Sequence, residues 1–406
     1  MYLIISVICF LFGVYLWVKV NHGYRFLINH VNLFSISWLI VILGSIVFPL
    51  DIIVQPKTYL VLICSWVFYL LGSLRLKIYE PLDFSHQQYD YKRLKVLLFI
   101  LVIFSIIGYL SAIGEIISSI TDIQTWASVR GEKTFMDATK ENIFYTVFAR
   151  NYDIYLPLAI YLYVHNELNK KLLILIFIYG ILTSIINFSR APLFEPIIVS
   201  YVSYILIKQS FKLPIFRILL VLIGFIFIFT LSQSVLFSLN TYSMFDANYQ
   251  IKMYLFGSIG NYQLILDGLY PDYNSYSSPI YTLDFINYVF QRLGLITSYP
   301  DQIREFNDFS DSNVYTFLDA FTLDLGIIGA FIGSFIVGVI GKSMYSNYEK
   351  NNTLFSIILY SLICYYSLMS FANNEFIRFS FILFIIKAYI FELFLRVVFK
   401  KRNESV

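Results

Sequence analysis

Two apolar runs flank a charged turn in the stretch LLILIFIYGILTSIINFSRAPLFEPIIVSYVSYILIK, residues Leu172–Lys208. Each run is about 18 residues long, which is enough for an α-helix to cross a hydrocarbon core of about 30 Å. The turn between the runs carries Arg190, and Glu195 follows early in the second run. The stretch therefore predicts a helical hairpin in a membrane, with two charges near its tip.

The composition of the whole chain predicts the same class of protein. Of its 406 residues, 58% are hydrophobic and 14% are charged, whereas soluble domains carry about 25% charged residues. We expect an all-α polytopic membrane protein with about eleven spans in a single integral membrane domain, residues 1–406. The expected spans are approximately 1–19, 31–50, 58–74, 94–113, 147–165, 172–188, 191–208, 214–235, 313–341, 353–373 and 377–398.

Lysine and arginine residues predict the orientation of these spans, because cytoplasmic loops carry an excess of them. Of the 29 such residues, eighteen lie in odd-numbered loops or the C-terminal tail, ten lie in even-numbered loops, and Lys387 lies within a span. We therefore expect the N-terminus outside and the C-terminus inside. The two long loops, residues 114–146 and 236–312, then face outward.

Several kinds of chemistry are disfavoured by the residues present. The four histidines, at positions 22, 30, 86 and 165, all fall on the predicted inner side. The chain contains no paired carboxylate or histidine motif typical of a metal site, and no glycine-rich phosphate loop. The three cysteines fall inside predicted spans, which predicts small buried side chains. We expect neither a metal nor a cofactor, and no nucleic acid partner.

Arginine is the functional group that the predicted outer face carries. Arg190 precedes the seventh span, whose free N–H groups and positive dipole end favour an anion such as a lipid diphosphate. Ser189 is the expected cap, and Pro192 suits the first turn. Snorkelling to the interface, or a pair between Glu195 and either Arg190 or Lys387, is an alternative. The outward arginines are Arg130, Arg150, Arg190, Arg292, Arg304 and Arg378.

The outward loop 236–312 is rich in tyrosine and in acidic residues. It has ten tyrosines, eight carboxylates and three basic residues. Tyrosine rings suit the apolar face of a sugar, and carboxylates accept hydrogen bonds from sugar hydroxyls. An aromatic belt at the membrane interface is the alternative for the individual rings. The length of the loop favours a functional role for the segment as a whole.

Four stretches carry a resemblance to a known family. They are SITDIQTWASVRGEKTF in the fourth loop, TSIINFSRAPLFEPII between two spans, YLFGSIGNYQ at the start of the tyrosine-rich loop, and SNVYTFLDAFTLDLGIIGAFIGSFIVGVIG at the ninth span. Together with the topology, they resemble the bacterial oligosaccharide repeat-unit polymerases of the O-antigen and capsule pathways, the Wzy family. The similarity covers roughly residues 95–345.

The resemblance implies a GT-C-like architecture with a large periplasmic loop, in a multi-pass protein of the bacterial cytoplasmic membrane. It implies metal-independent transfer of a glycan from one undecaprenyl diphosphate to the repeat unit on another, with a flippase and a chain-length regulator as partner proteins. Arg190, Arg130 and Arg292 would stabilise the leaving diphosphate. The expected substrate-binding residues are Arg150, Arg304, Arg378, Asn313, Tyr315, Thr316, Asp324 and Glu195.

The catalytic base and two rival functions stay open at this stage. The candidate bases, which the sequence does not rank, are Glu132, Asp153, Asp308, Asp311 and Asp319. An O-antigen ligase would share the topology, but its family pattern includes a histidine in the large outer loop, and this chain has none there. A lipid-linked oligosaccharide flippase or other transporter predicts charges across the full bilayer, whereas few charges lie deep in these spans.

Overall fold

The computed structural model shows helices in almost every segment that it describes. The described residues are 2–48, 54–75, 89–119, 148, 151–186, 191–209, 247–269, 281–282, 284–296, 316–372, 376 and 379–395. Within them the helices are α1 (Tyr2–Asn21), α2 (His30–Val47), α3 (Pro56–Gly72), α4 (Tyr91–Ser119), α5 (Tyr152–Val164), α6 (Lys170–Ile186), α7 (Ala191–Lys208), α8 (Ala247–Leu266), α9 (Asp284–Arg292), α10 (Leu318–Asn351), α11 (Leu354–Met369) and α12 (Phe379–Phe394).

Four of these helices are long and apolar enough to cross a membrane. They are α1, α2, the Tyr91–Leu110 part of α4, and α10. Three shorter apolar helices, α3, α5 and α11, accompany them. On α1, α4 and α10 many large apolar side chains are exposed, including Ile8, Ile103 and Ile328. Water disfavours such exposed apolar faces, so the fold is that of a helical membrane protein.

The predicted spans and the observed helices agree in position along much of the chain. Ten of the eleven predicted spans overlap a helix, and the span predicted at 191–208 coincides with α7, Ala191–Lys208. The span predicted at 214–235 lies outside the described residues, as does most of the loop 114–146. Two further helices, α8 and α9, fall within the segment 236–312 that was predicted as an outward loop.

The chain forms two compact units, and the first comprises Met1–Glu80, Asn248–Lys350 and Ile363–Lys387. In this unit α1 packs on α3 through the Trp66 ring, which lies against Gly13. The Trp66 indole donates a 3.0 Å hydrogen bond to Ser35 Oγ of α2. Trp38 of α2 donates at 2.8 Å to Ser370 Oγ. Indole N–H groups buried among helices are satisfied in this way by serine hydroxyls.

A break at Gly326 divides α10 into a short helix and a long one. Gly326 has φ 65° and ψ −157°, a backbone conformation that is not helical and that side chains other than glycine rarely tolerate. The preceding turn folds against the long part, because Phe321 lies next to Gly329 and its ring covers Gly333. The described part of the predicted ninth span, residues 313–341, is therefore a short helix before Gly326 and a long apolar helix from Ile327.

Glycines allow α3 and α10 to approach each other closely. A Cβ atom at Gly338 would meet the carbonyl oxygen of Tyr69, and one at Gly72 would meet that of Phe335. Small residues at such contacts let helix backbones pack tightly in a membrane, where apolar burial does not drive helices together.

Gly338→Ala is expected to destabilise the protein by about 1–3 kcal/mol, because the added methyl group must push two backbones apart. The measurement is the thermal unfolding midpoint of the purified variant in detergent. Ser343→Ala, at an exposed position of the same helix, is the control and should change stability by less than about 0.5 kcal/mol. A Gly338→Ala variant as stable as its parent would contradict the close packing.

A buried ion pair holds together one end of this unit. Arg75, after α3, pairs with Glu349 near the end of α10, and their side chains are 2% and 5% exposed. The Arg75 guanidinium also donates to the Gly23 carbonyl at 2.5 Å and lies 4.9 Å from the Tyr345 ring centroid. The distribution of lysine and arginine predicts that Gly23, Arg75 and Glu349 all lie on the cytoplasmic side of the membrane.

The second unit comprises Pro81–Ala247, Asn351–Leu362 and Ala388–Val406. Tyr179 of α6 donates to Ser105 of α4 at 3.1 Å. Lys95 of α4 pairs with Glu167, in the turn after α5, at 2.7 Å. Lys95 belongs to the third predicted loop and Glu167 to the fifth. Their contact agrees with spans that alternate in direction, because all odd-numbered loops are then on the same side of the membrane. The side of the membrane that each end faces stays a prediction.

Candidate functional site

The structure describes four of the eleven residues expected at the site. Thr316 and Asp324 lie in the first unit with Arg292, and Glu195 lies in the second. The other expected residues lie outside the described part of the chain: Arg130, Arg150, Arg190, Arg304, Arg378, Asn313 and Tyr315. Their roles stay predictions. The same is true of three candidate bases, Glu132, Asp308 and Asp311.

Helix α8 lies across the neighbouring ends of α2 and α3. Near its middle, the Phe256 ring stacks on Phe48, which follows α2, with centroids 6.3 Å apart. Eleven residues later, Asp267 pairs with Lys57 in the first turn of α3. Between these contacts, Gln263 accepts a 2.6 Å hydrogen bond from the Gln55 backbone N–H. Phe256 and Asp267 therefore both contact the same end of the α2–α3 hairpin. We infer that α8 covers this end of the hairpin and does not cross the membrane beside α2 and α3.

A polar cluster forms where α8 meets the short first part of α10. We use "polar cluster" for Tyr262, Thr316, Asp319 and Thr322, which are all buried. Thr316 Oγ1 lies 2.5 Å from Asp319 Oδ1 and donates to it. Thr322 donates to the Leu318 carbonyl at 2.9 Å, so the Tyr262 hydroxyl, 3.0 Å from Thr322 Oγ1, is the donor in that contact.

Local sequence explains how α10 presents these groups. The Leu318 N–H, one of the free donors of the first turn, is satisfied by Thr316 Oγ1 at 3.2 Å. Asp319 and Thr322 are three residues apart, so they project from one face of the short helix. The break at Gly326 then separates this polar turn from the apolar helix that follows. As a result, hydroxyls and a carboxylate stand at the end of a membrane-spanning helix.

The protonation state of Tyr262 follows from its surroundings. Burial raises the pKa of Tyr262 well above its usual value of 10, and the nearby Asp319 carboxylate raises it further. The phenol therefore stays protonated at neutral pH and keeps its role as a hydrogen-bond donor. Within the polar cluster, Asp319 is the group able to accept a proton from a hydroxyl.

Asp324 anchors the chain before α9 to the break in α10. Its carboxylate accepts hydrogen bonds from the backbone N–H of Tyr281 at 2.7 Å and of Thr282 at 2.8 Å. The Thr282 hydroxyl donates a third, at 2.5 Å. We refer to these contacts as the Asp324 clamp. They give Asp324 a positioning role, and its expected contact with substrate stays a prediction.

Glu195 lies early in α7, in the second unit, and contacts α5. Its Oε2 atom accepts a 2.8 Å hydrogen bond from the Tyr152 hydroxyl. Asp153, the neighbour of Tyr152, is buried with 7% exposure. The Glu195 carboxylate therefore joins the beginning of α7 to α5. The sequence suggested a pair with Arg190 or Lys387 for Glu195, and the contact with Tyr152 was not anticipated.

Arg292 is the last residue of α9 and is exposed. A cation in the last turn of a helix is stabilised by the negative end of the helix dipole. This placement accounts for a basic residue there independently of any substrate. Its expected role beside a leaving diphosphate stays a prediction.

The described residues contain no cluster of three or more His, Cys, Asp or Glu side chains able to hold a metal ion. The polar cluster instead combines one carboxylate with three hydroxyls. Such a set suits an uncharged, hydroxyl-rich ligand better than a divalent cation, which favours several carboxylates.

Tyr262, Thr322 and Tyr152 are the site residues that sequence reasoning missed. Tyr262 is part of the motif YLFGSIGNYQ, in which Asn261, Tyr262 and Gln263 are three consecutive polar residues. All three are buried. These consecutive polar residues were the signal in the sequence that pointed to a site here. A buried amide requires a hydrogen-bond partner, so such residues indicate polar contacts with another segment.

Comparison of the chain with protein-family models, with curated proteins and with solved structures found no match in any of the three.

Proposed function

We propose that this chain is a metal-independent glycosyltransferase of the bacterial cytoplasmic membrane. In this proposal it has a GT-C-like architecture and joins undecaprenyl-diphosphate-linked repeat units into O-antigen or capsular polysaccharide. The observation that carries the proposal is the polar cluster, in which α8 brings Tyr262 against Asp319 and its neighbouring threonines. This cluster stands at the helix ends that the charge pattern predicts to face outward, where lipid-linked sugars are exposed after export.

The reaction requires few kinds of group. A hydroxyl of the acceptor sugar attacks the anomeric carbon of the donor glycan, and a new carbon–oxygen bond forms. The bond from that carbon to the diphosphate oxygen breaks, and undecaprenyl diphosphate leaves with the electron pair. The hydroxyl proton passes to a carboxylate, for which Asp319 is the described candidate in the first unit and Asp153 the described candidate in the second. The leaving group carries the energy of the reaction, so no nucleotide is needed.

Positive side chains would stabilise the charge that develops on the leaving diphosphate. Arg190 and Arg130 are the proposed groups, with Arg292 as a third. Support comes from the observed start of α7 at Ala191, because residue 190 then stands immediately before a helix N-terminus that attracts anions. Glu195, five residues after Arg190 in the chain, carries a carboxylate of the kind that orients a guanidinium.

Loss of the gene tests the proposal directly. In a deletion strain, electrophoresis of the surface polysaccharide should show a single repeat unit on its carrier, because ligation proceeds without polymerisation. Complementation with the intact gene should restore the ladder of long chains. A strain that carries no unit at all on the surface would indicate a ligase, and repeat units held on the inner face would indicate a flippase. Either outcome would overturn the polymerase proposal.

A further inference from the structure

Helix α9 ends in exposed apolar side chains and buries an amide. Ile286, Val289, Phe290 and Leu293 follow the spacing of one helical face. Its C-terminal part points outward, since Phe290 is 41% and Leu293 67% exposed, whereas Ile286 and Val289 are half-buried. Asn287, which lies on a different face, is buried with 3% exposure. An amide directed inward and apolar side chains directed outward are what a surface in contact with lipid requires.

The end of α9 gathers the exposed side chains into one patch. Gly294 has φ 71°, which reverses the chain, and the Leu295 N–H donates to the Phe290 carbonyl at 2.9 Å. This six-residue closure is a common helix end and brings the two flanking apolar residues together. Leu295 is 65% exposed. We define the α9 patch as Phe290, Leu293 and Leu295.

The Asp324 clamp limits the distance between the α9 patch and α10. It holds Thr282, two residues before α9, beside the break in α10. The exposed apolar side of α10 begins at the next residues, Leu325 and Ile328. Eight chain steps, six of them within α9, separate Thr282 from Phe290, so even a fully extended link keeps Phe290 within roughly 16 Å of the clamp. The patch therefore lies no farther than this from the place where the lipid-facing side of α10 begins.

Charge at the same place fits a lipid headgroup. Arg292 is exposed beside the patch, between Phe290 and Leu293 in the chain. An arginine next to apolar side chains can extend its guanidinium to the phosphate level while its neighbours insert below. An isolated apolar patch could fit another protein equally well. The combination of the clamp, the nearby lipid-facing side of α10 and the arginine favours phospholipid.

We infer that α9 is an interfacial helix that lies in the surface of the bilayer and binds phospholipid. The α9 patch inserts about 5–10 Å into the boundary between headgroups and acyl chains, as such helices do. Arg292 contacts headgroup phosphates, and Asn287 faces the protein. The inference depends on the membrane class of the fold and not on the proposed enzymatic activity.

Nitroxide labelling of the full-length chain in phosphatidylethanolamine and phosphatidylglycerol nanodiscs tests this inference. Cys9, Cys64 and Cys364 are first replaced by alanine, and single variants Leu293→Cys and Leu295→Cys are labelled. Oxygen concentrates in lipid, whereas a polar nickel chelate stays in water. At both positions we expect more collisions with oxygen than with the nickel chelate, which corresponds to a positive depth parameter.

Two labelled positions provide the references. Ile328→Cys, on the exposed side of α10, should give a larger positive value, and Lys170→Cys, exposed at the start of α6, should give a negative one. Phe290→Trp, read by quenching with brominated lipid against the unsubstituted chain, is a second measurement that needs no cysteine replacement. Negative depth values at 293 and 295 would place α9 in water. Low collision with both reagents would mean that protein covers the patch. Either result overturns the inference.

Discussion

Arg75→Met is expected to lower the free energy of unfolding by about 3–5 kcal/mol, the usual cost of leaving one member of a buried ion pair without its partner. Both side chains are almost completely buried, at 2% and 5% exposure. Water therefore cannot solvate the negative charge of Glu349 once its partner is removed. The substitution also removes the hydrogen bond to the Gly23 carbonyl and the guanidinium contacts with the Tyr24 and Tyr345 rings. The measurement is unfolding of the purified protein in mixed micelles, with thermal midpoints as a second readout.

The double variant Arg75→Met with Glu349→Leu separates charge from packing. Replacing a buried pair by apolar residues is often neutral or stabilising, so the double variant should recover much of the stability lost in Arg75→Met. Arg93→Met is the control, because its pair with Asp90 is exposed, at 60% and 37%. Such a pair contributes at most about 1 kcal/mol. Equal losses in Arg75→Met and Arg93→Met would show that the buried pair does not hold this end of the fold.

Arg190→Ala is expected to reduce polymerisation by about 10²–10³-fold, the range typical for loss of a group that stabilises transition-state charge. In a deletion strain complemented with this variant, the surface glycan should consist of single repeat units. Gel electrophoresis of the polysaccharide is the measurement, with immunoblots to establish equal amounts of protein in the membrane. This expectation depends on the position of residue 190 directly before α7 and on the proposed diphosphate leaving group.

Two further variants specify the role of Arg190. Arg190→Lys keeps the charge but loses bidentate phosphate binding, so shortened chains are expected. Arg93→Ala replaces an exposed arginine at a helix end predicted on the opposite side, and should leave the ladder unchanged. A normal long-chain ladder from Arg190→Ala would rule out its catalytic role. If labelling placed residue 190 on the cytoplasmic side, the mechanism itself would be excluded.

The sequence predicted the positions of helices better than the folding of the large loop. Apolar runs marked α7 to the residue, because hydropathy is a local property that each span must satisfy by itself. Helix α8 was missed because Ser258, Asn261 and Gln263 lower its apolar character. These residues are buried against other parts of the first unit. The break at Gly326 was also missed, since hydropathy carries no information about a positive φ angle.

In the candidate site, too, the sequence predicted some residues and missed others. Thr316 and Asp324 were expected at a helix start, and both lie at polar contacts near the break in α10. Tyr262, the partner of Thr322, was not expected, because the two are 60 residues apart. This pairing depends on how α8 packs across the end of the α2–α3 hairpin. The pattern of residues along the sequence does not contain information about that packing.

By itself, the sequence determined that this chain is a helical membrane protein, because long apolar segments must bury their backbone polar groups as helices in lipid. The tertiary structure alone decided which polar side chains meet. Arg75 and Glu349 are 274 residues apart, and Asp324 reaches back 42 residues to Thr282. Burying a charge or a carboxylate is costly unless a partner is supplied, and here distant segments supply those partners once the helices have packed.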